Sequence, residues 1–202
     1  TGRLIRAPEV RFDCGEIGLE TFGYNIENRT LVAALEAAAE ERPSLVRIDD
    51  EADRIAPGAM EVEVHSRDGR RFTALLIAGA DGRRSLSREA AGITVARREL
   101  NQAALTFNVS HTRPHHDTST EFHTPHGPCV FVPLPGNRSS VVWVTTPAEA
   151  ARLAALDDAA LAQAAERQSH SILGAMQVAP GRHTFPLAIE RPRQVAARRI
   201  AL

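Results

Sequence analysis

The chain has no lysine, no cysteine pair at short spacing and no long apolar run. All 24 of its basic residues are arginine, which we interpret as the codon bias of a GC-rich bacterial genome, since arginine is also frequent where no phosphate is bound. Its two cysteines, Cys14 and Cys129, match no metal spacing or disulfide framework, so we expect a reducing compartment. No segment approaches the roughly 20 apolar residues of a membrane-spanning helix. The formal net charge of −1 argues against bulk nucleic-acid binding, which needs a basic face.

Histidine, in contrast, is concentrated in one stretch, "SHTRPHHDTSTEFHTPHGP" at residues 110–128. This stretch holds five of the eight histidines: His111, His115, His116, His123 and His126. A zinc site needs three or four ligands that converge tetrahedrally, commonly at short fixed spacings. Neighbours on a strand, such as His115 and His116, point to opposite faces and are poorly placed to share a metal. From these residues alone, a metal site, a proton relay and a polar loop all remain open.

The first half of the chain predicts strands around one helix. Residues 4–12 resemble an edge strand, because Pro8 limits its pairing. Asn28 is a plausible N-cap for a helix whose apolar residues recur at helical spacing until Pro43 ends it. "MEVEVHS" and "RRFTALLIAGA" then predict a hairpin through the turn Asp68-Gly69. The apolar run "ALLIA" predicts a strand covered on both faces.

The second half predicts a sheet followed by helices. We expect strands at 104–111, 129–135 and 139–146 to share one antiparallel sheet, with the last two joined by the turn "PGNR". The capping box "TPAE" predicts the start of an alanine-rich helix pair over 147–174. Residues 185–202 read as a loop that leads into a strand. This order predicts the α+β class.

A third feature is the stretch "LLIAGADGRRSLSR", residues 75–88. In this stretch Asp81 and Gly82 lie in a turn at the end of a predicted strand, where glycine lets a ligand approach the backbone closely. An isolated Asp-Gly is usually only a tight turn. Because Ser85 and Arg88 follow at fixed offsets, the pattern is more specific than a turn requires.

This pattern resembles the "DG" motif of the FAD-dependent aromatic hydroxylases, the class typified by para-hydroxybenzoate hydroxylase. Five stretches resemble, in order and spacing over nearly all of the chain, the ubiquinone-biosynthesis branch of that class: "FGYNIENRTLVAAL", "IAGADGRRSLSREAAGI", "NQAALTFNVSH", "FHTPHGPCVFVPLPGNRSSVVWV" and "FPLAIERPRQVAARRIAL". The resemblance implies a mixed or antiparallel sheet with helices on one face, which is the substrate domain, beside a small β-rich part of the FAD domain.

The resemblance also implies a division of the chain. Residues 1–28 would start the substrate-domain sheet, residues 29–88 would be a partial FAD-binding domain, and residues 89–202 would be the substrate-binding domain. The class carries a Gly-x-Gly-x-x-Gly turn for the FAD pyrophosphate and a later Gly-Asp motif, and neither is present here. We therefore expect a central segment that needs N-terminal and C-terminal segments of its parent protein. By itself it should hold no FAD and have no hydroxylase activity.

Particular residues take roles from this resemblance, and FAD is the implied cofactor. Contacts to FAD are expected from Arg29, Asp81 and Gly82. Contacts to the substrate are expected from Phe122, Gly127, Pro128 and Phe131. No catalytic acid or base is indicated.

The implied activity is hydroxylation of a polyprenylated phenol with NAD(P)H and dioxygen. The implied location is the cytoplasm, with peripheral association at the inner face of the membrane. Because the family uses no metal in the histidine-rich stretch, we expect none there. The alternatives are a non-enzymatic binding module with a metal-binding histidine loop, or another flavoenzyme with the DG motif, such as a halogenase or an isoprenoid reductase. The stretch "GPCVFVPLPGNRSSVVW" resembles the ubiquinone branch more closely than these flavoenzymes.

Overall fold

The computed structural model describes residues 9–202, so the predicted edge strand at 4–12 lies largely outside the described residues. Within this range the four α-helices are α1 (Asn28–Glu40), α2 (Leu86–Ala90), α3 (Pro147–Ala154) and α4 (Asp158–Gln168). The strands are β1 (Ala52–Pro57), β2 (Val62–Ser66), β3 (Arg71–Ala74), β4 (Ile77–Ala78), β5 (Val95–His111), β6 (Thr120–Thr124), β7 (Gly127–Leu134), β8 (Arg138–Thr145), β9 (Met176–Val178), β10 (His183–Pro192), β11 (Ala196–Ala197) and β12 (Ile200–Ala201). Between residues 9 and 27 the chain forms one 3-10 turn, Cys14–Ile17, and no strand.

Six strands form a large antiparallel sheet in the order β10-β5-β8-β7-β6, and β9 pairs with the end of β5. The predicted strands at 104–111, 129–135 and 139–146 are β5, β7 and β8, so their membership of one antiparallel sheet is confirmed. β10 replaces the loop that we predicted from residue 185, because its residues pair with β5 along the strand on both sides of a register shift between Pro186 and Ala188. Cross-strand hydrogen bonding over such a distance is not visible in the local sequence.

One face of this sheet, here called the helix side, is covered by α3 and α4. Every second residue of the strands points to the helix side, as the two-residue period of a strand requires. They form a buried cluster: Leu105, Phe107, Val109, Cys129, Phe131, Val141 and Trp143. Leu153 from α3 and Leu161 from α4 close the cluster. This confirms an α+β fold with helices on one face of the sheet.

The two helices begin where the sequence predicted. The Thr146 side chain accepts a hydrogen bond from the Glu149 amide, and Pro147 occupies the first turn of α3. The Asp157 carboxylate accepts one from the Ala160 amide at 2.7 Å and caps α4. These caps satisfy amides that a helix start leaves without intrahelical partners.

The opposite face is here called the open side. Register places Thr106 beside Val142, and Val142 beside Val130, so these three point the same way. The half-buried residues of the open side are Thr106, Asn108, Val130, Val132, Ser140, Val142 and Val144. An apolar stripe therefore runs across the face that α3 and α4 leave uncovered.

Two small sheets lie outside the large one. β1, β2 and β3 form an antiparallel meander whose β2–β3 turn contains Asp68-Gly69, so the predicted hairpin is confirmed. β12 pairs in parallel with β4, and Ile200 packs with Ala91 and Ile93. Residues 196–201 therefore pack beside the region that precedes β5, which the predicted division at residue 88 did not anticipate.

Two local predictions were wrong. Leu75 and Leu76 are 76% and 63% exposed, so the "ALLIA" run is not a strand covered on both faces; these two residues separate the end of β3 at Ala74 from β4. Glu27, not Asn28, occupies the N-cap position of α1. Asn28 is instead the first helical residue. A boundary one residue off is typical where several polar residues precede a helix.

The helix α1 contributes no buried residue among those that the structure describes. Its apolar residues stay in contact with solvent; Leu31 is 40% and Leu35 is 60% exposed. Between residues 9 and 202, no helix has both the length and the hydropathy to cross a bilayer.

Candidate functional site

The DG turn connects β4 to α2 and is held by Asp81. The Ser85 hydroxyl donates a hydrogen bond of 2.6 Å to Asp81 Oδ1, and the Ser87 amide donates one of 2.9 Å to Oδ2. Ser85 also caps α2 by accepting from the Arg88 amide at 2.9 Å. Partial burial alone would raise the pKa of Asp81, but these hydrogen bonds outweigh it and hold that pKa below its ordinary value. Asp81 is therefore a fixed carboxylate, ionised at neutral pH.

The two glycines of the turn serve different purposes. A Cβ on Gly79 would lie 2.6 Å from Ser87 Cβ, so the absence of a side chain lets α2 pack against the strand end. Gly82 has φ +77° and no heavy atom within 4 Å of the place where a Cβ would be. The backbone of Gly82 is thus unobstructed, which the predicted close approach of a ligand requires.

A cavity of about 410 Å³ opens beside this turn. Gly82, Arg83, Ser85 and Arg88 line one wall, and Glu190 of β10 lines another. The Arg88 guanidinium donates to the Arg83 carbonyl oxygen at 2.8 Å. Two guanidinium groups beside an unobstructed backbone suit a phosphate-bearing ligand, because guanidinium offers several donors in one plane. These residues fit the phosphate part of FAD. Arg83 was not singled out from the sequence, although it directly follows Gly82.

Arg29 lies in the first turn of α1, and its side chain is 85% exposed. Its Nε donates to Glu27 Oε2 at 3.2 Å, and Arg138 Nη2 donates to Glu27 Oε1 at 2.6 Å. The hydrogen bond from Arg138, opposed by partial burial and helped by the charges of both arginines, holds the pKa of Glu27 below its ordinary value. In residues 9–202 no hydrogen bond joins Arg29 to the DG turn, so the structure links Arg29 to the large sheet.

The four residues predicted to contact substrate divide between the two faces of the sheet. Phe122 and Phe131 lie on the helix side with their rings 6.0 Å apart in a T-shaped arrangement, and Phe131 is 1% exposed. The position of Phe131 is thus that of a core residue. Gly127 lies against the open side, since a Cβ there would meet Val144 Cγ1 at 2.6 Å. Pro128 follows it at the start of β7.

The open side was missed in the sequence reasoning. Val130, Val142 and Val144 give it an apolar middle, and Thr106 and Asn108 add a hydroxyl and an amide. The alternation in "CVFVPLP" and "SSVVWVTT" marks two faces for each strand. It does not tell which of them α3 and α4 cover.

The histidine-rich stretch forms the β5–β6 loop and its flanks, where the rings of His111 and His115 bind their own chain. His111 Nδ1 lies 2.8 Å from the Arg113 carbonyl oxygen and Nε2 lies 3.0 Å from Ser139 Oγ. His115 Nε2 lies 2.9 Å from the Leu134 carbonyl oxygen. A carbonyl oxygen only accepts, so His111 carries a proton on Nδ1 and His115 on Nε2. Across the described part of the chain, no three His, Cys, Asp or Glu side chains are grouped to hold a metal ion.

Comparison with protein families gives a match to a family described as "FAD binding domain", over residues 22–184. Ubiquinone hydroxylase UbiL of Rhodospirillum rubrum is 32% identical over 188 residues, which cover 89% of this chain and 42% of the relative. The 3-demethoxyubiquinol 3-hydroxylase of Escherichia coli is 31% identical over 166 residues, which cover 82% of this chain and 42% of the relative. The chain thus spans about two-fifths of the length of these relatives.

Solved structures show the same fold at low identity. The flavin-dependent halogenase CmlS superposes with a TM-score of 0.70 at 13% identity, over 87% of this chain and 34% of the other. The p-nitrophenol 4-monooxygenase PnpA of Pseudomonas putida superposes with a TM-score of 0.65 at 17% identity. The superposition covers 86% of this chain and 45% of PnpA. Over most of its length the chain is thus similar to two ubiquinone-biosynthesis hydroxylases, and it belongs to the FAD-binding domain family.

Proposed function

We propose that this chain is part of an FAD-dependent monooxygenase that hydroxylates a polyprenylated phenol in ubiquinone biosynthesis, with NAD(P)H and dioxygen as co-substrates. The observation that carries the proposal is the 32% identity to a ubiquinone hydroxylase over 188 residues. The fold alone does not support a hydroxylase over other flavoenzymes, because a flavin-dependent halogenase shares this fold.

In this proposal the DG turn holds the phosphate part of the cofactor. Gly82 would offer backbone at close range, and Arg83 and Arg88 would offer guanidinium donors. Asp81, which fixes the turn, would accept hydrogen bonds from the ribose. Arg29 contributes a second cationic contact from α1. When bound, FAD supplies hydride uptake and the activation of dioxygen, which no amino-acid side chain provides. Contacts from these residues alone are too few to offset the cost of fixing a large cofactor. We therefore expect no hydroxylase activity from the 202-residue chain by itself.

The open side is proposed to hold the substrate. Val130, Val142 and Val144 would pack against the prenyl-bearing ring, and Gly127 and Pro128 would line the end of the same surface. Apolar walls also exclude water from the reacting centre. Phe122 and Phe131 then support this surface from the helix side.

We propose that the substrate domain is the large sheet with α3 and α4, and that residues 29–93 belong to the FAD domain together with residues 196–201. We place the protein in the cytoplasm with peripheral contact to the inner face of the membrane. A polyprenylated substrate partitions into lipid, because each buried CH₂ contributes about 0.8 kcal/mol. The enzyme would therefore have to collect it at the bilayer surface.

The test begins with the protein that contains this chain, purified and examined for flavin absorbance. The same gene is then expressed in an Escherichia coli strain that lacks its 3-demethoxyubiquinol 3-hydroxylase, and ubiquinone is measured by mass spectrometry. We expect restored ubiquinone, with no halogenated product in the presence of halide. Flavin binding without restoration of ubiquinone, or of any hydroxylated precursor, would contradict the proposed substrate. Absence of flavin would contradict the enzyme class.

A further inference from the structure

Glu27 occupies a capping position that it does not use. The other three helices begin at residues whose side chains accept a hydrogen bond from the helix, namely Ser85, Thr146 and Asp157. Glu27 makes no such bond to α1. Glutamate is not among the side chains preferred at this position, because its carboxylate sits too far from the backbone to cap well. Its presence there calls for a different explanation.

The carboxylate of Glu27 is divided between two arginines. Oε1 accepts the 2.6 Å hydrogen bond from Arg138, and Oε2 accepts one of 3.2 Å from Arg29 Nε. Arg29 Nη2 also lies 3.2 Å from Oε2 and forms an ion pair with it. Glu27 is the least exposed of the three, with 19% side-chain exposure against 39% for Arg138 and 85% for Arg29. The carboxylate is therefore the centre of the triad, and Arg29 is its most exposed member.

This triad connects two parts of the molecule that pack little against each other. Arg138 begins β8 on the large sheet, while α1 has no buried residue. Glu27 and Arg138 are 111 residues apart in sequence. The ion pair therefore links the start of α1 to the β7–β8 turn. A long arginine side chain loses much rotamer freedom when it is fixed, so a carboxylate that orients it beforehand lowers the cost of ligand binding.

We propose that Glu27 is a positioning residue that orients Arg29 for the cofactor and couples that orientation to Arg138 on the substrate sheet. The inference rests on the proposed contact between Arg29 and FAD. Arg138 acts through Glu27 and touches no cofactor atom. If Arg138 is removed, Glu27 loses its anchor on the sheet, and Arg29 becomes disordered although its own partner is still present.

The first experiment measures FAD dissociation constants by flavin fluorescence in the protein that contains this chain. We expect Glu27→Gln and Arg138→Ala each to weaken FAD binding about fivefold, the upper range for exposed charge pairs. The double variant should bind FAD no more weakly than Glu27→Gln alone, because both changes disrupt the same chain of contacts from Arg138 through Glu27 to Arg29. Arg138→Lys keeps a charge and a donor and should restore most of the affinity. Arg152→Ala, which breaks the Glu149–Arg152 pair on α3, is the matched control and should leave the constant unchanged.

Dissociation constants within twofold of wild type for both single variants would overturn the proposal. It would also be overturned if the increase in the FAD dissociation constant of the double variant equalled the product of the two single increases. A second readout needs no flavin: hydrogen exchange of the Arg29 Nε–H, followed by NMR in the 202-residue chain. We expect slower exchange in the wild type than in Glu27→Gln or Arg138→Ala, and equal rates would refute the positioning role. If the wild-type protein binds no FAD, the proposed function fails, while this exchange measurement still decides whether the triad exists.

Discussion

The hydroxyl of Ser85 donates a hydrogen bond of 2.6 Å to the carboxylate of Asp81 while accepting one from the amide of Arg88. One serine therefore links the acidic residue of the DG turn to the first turn of α2. The carboxylate that we propose to contact FAD is also part of the local fold. Substitutions there must be judged on stability and on cofactor binding together.

Asp81→Ala should lower both the free energy of unfolding and FAD affinity. The stability loss should be about 1–2 kcal/mol, because two hydrogen bonds around α2 are lost. Asp157→Ala removes the cap of α4, far along the chain from the DG turn, and should cost similar stability without changing FAD affinity. Urea unfolding and flavin titration of both variants check this. Equal FAD affinity in the two variants would show that Asp81 is only structural.

Gly79→Ala should mainly lower stability, whereas Gly82→Ala should mainly weaken FAD binding. A Cβ at Gly79 would overlap Ser87, so this change should destabilise the chain strongly. A Cβ at Gly82 meets open space, and its positive φ should cost only about 1 kcal/mol. FAD titration should nevertheless show weaker binding for Gly82→Ala, because the methyl group occupies the approach to the backbone. An unchanged dissociation constant would remove Gly82 from the proposed cofactor site.

Alanine substitutions of Phe131 and Val142 should affect different properties, because the two residues lie on opposite faces of the large sheet. Phe131→Ala should cost about 3–5 kcal/mol, as expected for a fully buried aromatic side chain. Val142→Ala should cost about 1 kcal/mol but raise the KM for the phenolic substrate, since Val142 lies on the open side. Thermal unfolding and steady-state kinetics separate the two effects. A larger effect of Phe131→Ala than of Val142→Ala on KM, at equal folded fraction, would reverse the assignment of the two faces.

The two thiols should react at very different rates. Burial raises the pKa of Cys129 to about 12, so it stays a protonated thiol inside the core at pH 8. Cys14 is partly exposed, and its Sγ lies 3.3 Å from the Glu20 carbonyl oxygen. A thiol reagent at pH 8 should modify one cysteine in the native chain and both in denaturant. Cys14→Ser should abolish the native reaction, and a remaining fast reaction would mean that Cys129 is accessible.

The histidine-rich stretch should bind no zinc. His111 and His115 already direct ring nitrogens at carbonyl oxygens of their own chain, which leaves fewer nitrogens to ligate a metal. Elemental analysis of protein purified without a histidine tag should show no stoichiometric metal, and a chelator should not shift the unfolding temperature. About one zinc per chain would favour the alternative of a metal-binding module.

The sequence by itself determined the features that depend on near neighbours. The Asp68-Gly69 hairpin, the turn between β7 and β8, and the start of α3 at Thr146 each follow from residue types within a few positions. The DG turn belongs to the same group, since Ser85 and Ser87 lie four and six residues from Asp81. Such contacts form wherever the chain adopts the local conformation that its residues favour.

The tertiary structure decided the rest. Strand alternation marks two faces, but only the packing of α3 and α4 placed Phe131 in the core and Val142 on the open side. The pairing of Glu27 with Arg138 spans 111 residues, and β12 returns to pair with β4 from the far end of the chain. The physical reason is that long-range contacts are selected by the packing of the whole chain, whose alternatives a local pattern does not distinguish.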